Sequence, residues 1–195
     1  MPAHFNPIKL GVIADTHIPD RIPELPSELL VALRQANVDK IIHAGDACNR
    51  QVIHTLEQIA PVTIVQGNRD WLFGLRTPRH VEMVINNVRI TVAHGHHTIL
   101  TYAFYFLWVK LFKELDIERY YQHLIQDFPD ADLIIFGHTH YQAAKWVGSQ
   151  LLFNPGAVSP CKQNHFHSQY GIITITPDGI IRTEFHQLES SASRK

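Results

Sequence analysis

Short apolar runs that end in polar, ligand-capable side chains recur along the chain. Ile8 to Ala14 is the first, interrupted only by Lys9 and Gly11, and it stops at Asp15-Thr16-His17. A run of this kind, without polar alternation, predicts a buried strand. Lys40 to Ala44 predicts a second strand, ending in Gly45-Asp46. Val62 to Val65 predicts a third, ending in Gly67-Asn68-Arg69-Asp70. Between the strands the period changes. Leu25, Leu29, Leu30, Leu33 and Ala36 have helical spacing, which predicts a helix over Leu25 to Ala36 with Pro26 in its first turn. Val52, Ile53, Leu56 and Ile59 mark a second helix, stopped by Pro61. Strand–loop–helix units in series predict βαβ packing. Open α/β sheets place their sites at the carboxyl ends of the strands, where these polar groups fall.

The second half is richer in hairpins. Val81 to Ile85 and Val88 to Ala93 predict strands joined at Asn86-Asn87, and the second ends in His94-Gly95-His96-His97. Ile99 to Phe112 is apolar and aromatic apart from Thr101 and Lys110. It is too short to span a bilayer, so it predicts a helix buried in the core or against a partner. With a more polar helix over Glu114 to Asp127, residues 98–127 form a helical insertion. Leu133 to Phe136 predicts another buried strand, and Gly137 lets the backbone leave it sharply, so that His138 and His140 follow its end. Tyr141 to Val147 and Gln150 to Phe153 predict a hairpin, Asn154-Pro155-Gly156 a turn, and Tyr170 to Thr176 with Ile180 to Phe185 a last hairpin. Residues 190–195 read as a frayed tail, and residues 1–195 as one α/β domain.

Composition narrows the function. Charge is nearly balanced, 17 basic against 18 acidic residues, so no basic patch for nucleic acid is evident. The 14 histidines stand out, because imidazole is the commonest metal ligand, although His4, His165 and His167 suit surface positions. Cys48 and Cys161 do not make a disulfide framework, and Cys48 suits a buried structural thiol. Met1 to Pro7 has no signal pattern, and no stretch reaches the ~18 apolar residues of a membrane span. A soluble, cytoplasmic protein is expected.

Five strand ends carry ligand-capable groups: Asp15 and His17, Asp46, Asn68, His94, and His138 with His140. Singly, each has a plain structural explanation as a turn or loop residue. Together they exceed what one metal uses at a half-open site. They suit two divalent metals sharing a bridge, for which the Asp46 carboxylate is the natural candidate. His43 inside a strand suits a core position, Asp70 a capping or supporting acid, and His97 an exposed one.

In this order the blocks resemble the calcineurin-like metallophosphoesterase superfamily. They stand as Asp15-Thr16-His17, Gly45-Asp46, Gly67-Asn68-Arg69-Asp70, His94-Gly95-His96 and Gly137-His138-Thr139-His140. Small size and Asn154-Pro155-Gly156 look most like the compact phosphodiesterase branch, which shares its fold with the retromer scaffold subunit. The resemblance implies a four-layer αββα sandwich of two mixed β-sheets flanked by helices. It implies that Asp15, His17 and His140 hold one metal, that Asn68, His94 and His138 hold the other, and that Asp46 bridges them. A hydroxide shared by the metals would then hydrolyse a small phosphoester substrate, with phosphodiesters favoured. Manganese is the favoured metal, and iron, zinc, cobalt or nickel also suit the donor set. Asp46, Arg69 and His96 are the catalytic candidates, and Asn68, Arg69 and His96 the substrate-binding ones.

Arg69 departs from many family members, which have histidine there. Arginine pairs with phosphate but gives up no proton near neutral pH. Substrates with an acidic leaving group, such as aryl esters, are therefore expected unless His96 or water supplies the proton. The alternative function is a catalytically silent protein-interaction scaffold of the same fold, and retention of a ligand side chain at every matching position favours the enzyme. The Tyr102–Phe112 region suits a core helix, a wall over the metal cleft, or a homodimer surface.

Overall fold

The computed structural model describes residues 6–95 and 117–188. Its elements run in the order β1 (Ile8–Ile13), α1 (Ser27–Gln35), β2 (Lys40–His43), α2 (Arg50–Glu57), β3 (Val62–Ile64) and α3 (Asn68–Leu72). They continue with β4 (His80–Ile85), β5 (Val88–Ala93), α4 (Ile117–Asp127), β6 (Leu133–Ile135), β7 (Gln142–Val147), β8 (Gln150–Pro155), β9 (Gln169–Ile175) and β10 (Ile181–Gln187). One sheet has the order β10-β9-β1-β2-β3 and the other β4-β5-β6-β8-β7. Both are mixed. In the first, β1, β2 and β3 are parallel and β9 runs against β1. In the second, β5, β6 and β8 are parallel between antiparallel edges.

Strand period explains the layers. Leu10 and Val12 face Val92, Ile135 and Phe153 across the gap between the sheets, all buried in one core cluster. Ile13 and Ile41 lie on the opposite face, packed with Leu29 and Leu33 of α1 and Val52 and Leu56 of α2. Ile134 and Leu152 point outward from the second sheet onto Tyr120, Tyr121 and Leu124 of α4. The result is the expected α–β–β–α sandwich. Strands buried on both faces show no polar alternation, whereas edge strand β4 alternates exposed and half-buried positions. Gly11 lets α1 close on the sheet, since a side chain there would meet Leu33 at 2.7 Å.

The element ends differ from expectation in small ways. Pro26 has ψ 129 and caps α1, so the helix starts at Ser27 rather than Leu25. α2 starts early, at Arg50, because the Asn49 side chain accepts from Gln51 N–H at 2.8 Å. α3, five residues long, was not expected from the sequence. β8 continues through Pro155, and the chain turns one step later, at Gly156 with φ 81. Of the insertion at 98–127, only its final helix lies within the described residues. The run Ile99 to Phe112, with its Tyr102–Phe112 surface, lies outside them, as does the tail at 190–195.

Candidate metal centre

Three loops deliver the central side chains, and each bends through left-handed backbone at alternate residues. These are Asp15 (φ 55) with His17 (φ 50), Asp46 (φ 58) with Cys48 (φ 65), and His138 (φ 68) with His140 (φ 61). Such conformations on non-glycine residues cost about 1 kcal/mol or more each and persist only where surroundings impose them. Here hydrogen bonds between the loops impose them. Asp15 N–H donates to Gly45 O at 3.0 Å and His17 N–H to Asp46 O at 3.0 Å. The buried Asp70 carboxylate accepts from the N–H groups of Asp46 (3.0 Å), Cys48 (2.7 Å) and Gly67 (2.7 Å). Ser159 clasps Asp15 O through both N–H and Oγ. Fully buried Asn154 donates through Nδ2 to Gly137 O at 2.7 Å and Thr139 Oγ1 at 3.0 Å, holding the loop of His138 and His140.

Asn154→Asp replaces that donor with an acceptor facing Gly137 O. A loss of roughly 1–3 kcal/mol in chemical denaturation is expected for the unsatisfied buried groups. A weakened metal affinity should accompany it.

Asp15 is the geometric centre. Its Oδ1 lies 3.3 Å from His140 Nε2, 3.7 Å from His17 Nε2 and 3.9 Å from His94 Nε2. Among the described residues that buried oxygen has no hydrogen-bond partner. His17 Nε2 and His140 Nε2 face one another at 3.4 Å. Asp46 commits Oδ1 to the Arg69 N–H at 2.7 Å and turns Oδ2 towards His94 Nε2 (3.5 Å) and His17 Nε2 (3.9 Å). His94 donates its Nδ1–H to Ala44 O at 2.7 Å, which aims Nε2 at Asn68 Oδ1, 3.1 Å away, and at Asp46. His138 donates its backbone N–H to Asp15 Oδ2 at 3.0 Å and sets its ring edge-on to His94, with centroids 5.2 Å apart.

Converging lone pairs on buried side chains favour a positive charge between them. Burial alone would push His94 down, but the Asp46 carboxylate overrides it and lifts the imidazole to about 10. Burial would raise both aspartates, yet His140 beside Asp15 and His94 beside Asp46 hold the carboxyls below the usual range. Burial wins at His17 and His43, which fall to about 4 and stay neutral. Asp15, His17 and His140 offer ligand atoms within 4.8 Å of one another, and so do Asp15, Asp46 and His94. Carboxylate oxygen and imidazole nitrogen at such spacing fit a divalent cation, which would satisfy the orphaned Asp15 oxygen.

All seven side chains singled out as metal ligands therefore meet at one end of the sheets. Arg69 is at the mouth, a third exposed, with its guanidinium paired to Asp20. His96 and His97 lie outside the described residues. His43 is buried beside Thr16 Oγ1 at 3.2 Å. The Asp20–Arg69 pair, the bracing by Asn154 and Ser159, and the place of Cys161 against His140 were not anticipated. The one local hint was Asn154 itself, a polar residue closing an apolar run.

Known proteins resemble this chain in sequence and in fold. A family model described as the calcineurin-like phosphoesterase superfamily domain matches residues 8–178. A probable metallophosphoesterase of Methanothermobacter thermautotrophicus is 34% identical over 148 residues, 76% of each chain. A phosphodiesterase of Methanocaldococcus jannaschii is 25% identical over 162 residues, 76% of this chain and 83% of that one. The structure of vacuolar protein sorting 29 from Cryptosporidium parvum superposes with a TM-score of 0.71 at 19% identity, covering 95% of this chain and 100% of that one. At that identity the last match speaks for the fold.

Proposed function

The chain belongs to the calcineurin-like phosphoesterase superfamily, and from this we propose that it is an active phosphodiesterase that works with two divalent metals. The observation that carries the proposal is the buried Asp15 oxygen, without a hydrogen-bond partner among the described residues and surrounded by three imidazole nitrogens. In this reading Asp15, His17 and His140 hold one cation, Asn68, His94 and His138 hold the other, and Asp46 is shared. When bound, the two cations acidify a water and neutralise charge growing on the phosphoryl oxygens. The chain's own part is to orient. The His94 contact to Ala44 O points Nε2 inward, and the Arg69 N–H fixes which Asp46 oxygen faces the histidines.

Arg69 meets the substrate at the mouth, where a phosphate oxygen competes with Asp20 for the guanidinium. A group that keeps its proton does not assist departure of an alkoxide. The preferred substrates are therefore diesters with an acidic leaving group, unless His96 or water provides a proton. Manganese suits the oxygen-bearing half of the donor set, and iron, zinc, cobalt and nickel are alternatives.

The test is a panel of aryl phosphodiesters of graded leaving-group acidity, with the matching monoesters, assayed after chelation and reloading with each metal. No turnover is expected from the stripped protein. With metal restored, diesters should outpace monoesters, and rates should rise with leaving-group acidity. Silence on every ester with every metal would favour the rival reading, a scaffold of the same fold.

A further inference from the structure

Both cysteines of the chain lie behind histidines of the centre. Cys161 Sγ is 3.3 Å from His140 Nδ1, and Cys48 Sγ is 4.0 Å from His17 Nδ1. These are the two imidazoles whose Nε2 atoms face each other beside Asp15. A neutral histidine that ligates through Nε2 carries its proton on Nδ1, and the partner that accepts this proton sets the tautomer. His94 has such a partner in Ala44 O.

His140 Nδ1 meets two groups of different hydrogen-bonding capacity. Arg21 Nη1, at 3.4 Å, can only donate. It suits the tautomer in which Nε2–H points at Asp15 Oδ1, 3.3 Å away. The Cys161 thiol can donate or accept, so unlike Arg21 it admits the other tautomer, with the Nε2 lone pair bare.

The segment carrying Cys161 is built to hold it there. Asn164, fully buried, accepts the Cys161 N–H at 2.8 Å through Oδ1. Its Nδ2 donates to Ala157 O and Ser159 O, both at 3.0 Å. His165 (φ 52) and Phe166 (φ 62) then turn back so that Phe166 N–H reaches Cys161 O at 2.8 Å. Through Ser159 the same segment fixes Asp15. One loop thus braces two of the three side chains on this half of the centre.

We propose that Cys161 is a positioning residue: its sulfur accepts the Nδ1–H of His140 and holds the imidazole in the tautomer that presents Nε2 to a divalent cation beside Asp15 and His17. The proposal rests on the metal-centre reading above. Cys48 stands in the matching place behind His17, at a longer distance and buried.

The test is Co2+ binding to the chelator-stripped full chain, read by calorimetry and by the visible absorption of the bound ion. Wild type, Cys161→Ala and Cys161→Ser are compared, and thermal melting of the metal-free proteins checks folding. Loss of such an outer partner weakens metal binding by roughly tenfold to a hundredfold. Cys161→Ala should lose that much for one equivalent and change its absorption spectrum, while Cys161→Ser, whose hydroxyl accepts the same N–H, should recover most of both. Equal affinity in Cys161→Ala and wild type would overturn the proposal, and so would Cys161→Ser binding as weakly as Cys161→Ala. A wild type that takes up no Co2+ would bring down the metal centre itself. If Cys161→Ala melts too early to titrate, imidazole 15N spectra of the Zn2+-loaded wild type and Cys161→Ser decide. The His140 Nδ1–H resonance must move between them, and an unmoved resonance overturns the proposal.

Discussion

Asp46→Asn is expected to abolish metal-supported phosphodiester turnover, with a fall of roughly a thousandfold. Losing a single electrostatic contact to a transition state commonly costs about a hundred- to thousandfold. The role proposed for Asp46 touches both halves of the centre, since its Oδ2 faces both His94 (3.5 Å) and His17 (3.9 Å), so a loss at the upper end of that range is expected. Asparagine keeps an oxygen for the Arg69 N–H, so the loop should hold and the loss should reflect the missing charge. Elemental analysis of the purified variant should show less metal than the wild type. Full metal content with full turnover would refute the role given to Asp46.

The same substitution has a consequence in the stripped protein. His94 is raised in the folded state to about 10, above the ordinary imidazole value near 6.5. A group raised on folding stabilises the fold below its unfolded pKa, and that contribution is lost as pH climbs through the folded one. The chelated wild type should therefore lose stability between about pH 6.5 and 10. Asp46→Asn, which removes the carboxylate that lifts His94, should flatten this limb. Melting temperatures across that pH range, with chelator present, measure the difference.

Gly67→Ala should be nearly as damaging to function, for a steric reason. Gly67 has φ −88, which any residue adopts, so backbone conformation does not demand glycine. Space does. An added methyl would overlap Asp46 Oδ1 and the Asp46 backbone nitrogen. Something must shift, and the movable partner is the side chain that faces His94 and His17. Forcing extra atoms into such a packed spot costs about 1–3 kcal/mol. Denaturant titration should show that loss, together with reduced metal uptake. Unchanged metal affinity would mean that the loop gives way without moving Asp46.

The strands and most helices were legible because their signals are local. Leu29 and Leu33, or Leu10 and Val12, declare a helix face or a strand face within a few residues. Boundaries depended on single caps, such as the Asn49 side chain that starts α2 at Arg50. α3 escaped notice because five residues hold too little periodicity to read. Pro155 stayed in β8 because the paired strand β7 carries it one step beyond the residue expected to turn.

For the centre, the sequence by itself determined the donor types, their order, and their positions just beyond strand ends. Apolar runs stopping at Asp15, Asp46, Asn68, His94 and His138 are properties of neighbouring residues. Only the tertiary structure decided that Asp15 is the hub, that Asp46 offers the histidines a single oxygen, and that Arg69 pairs with Asp20. It alone put Cys161 against His140 and Asn154 beneath the His138 loop. Those contacts join residues far apart in the chain, through sheet order and loop curvature. Periodicity reaches about one helical turn along the chain and carries no information about which distant side chain closes a given distance.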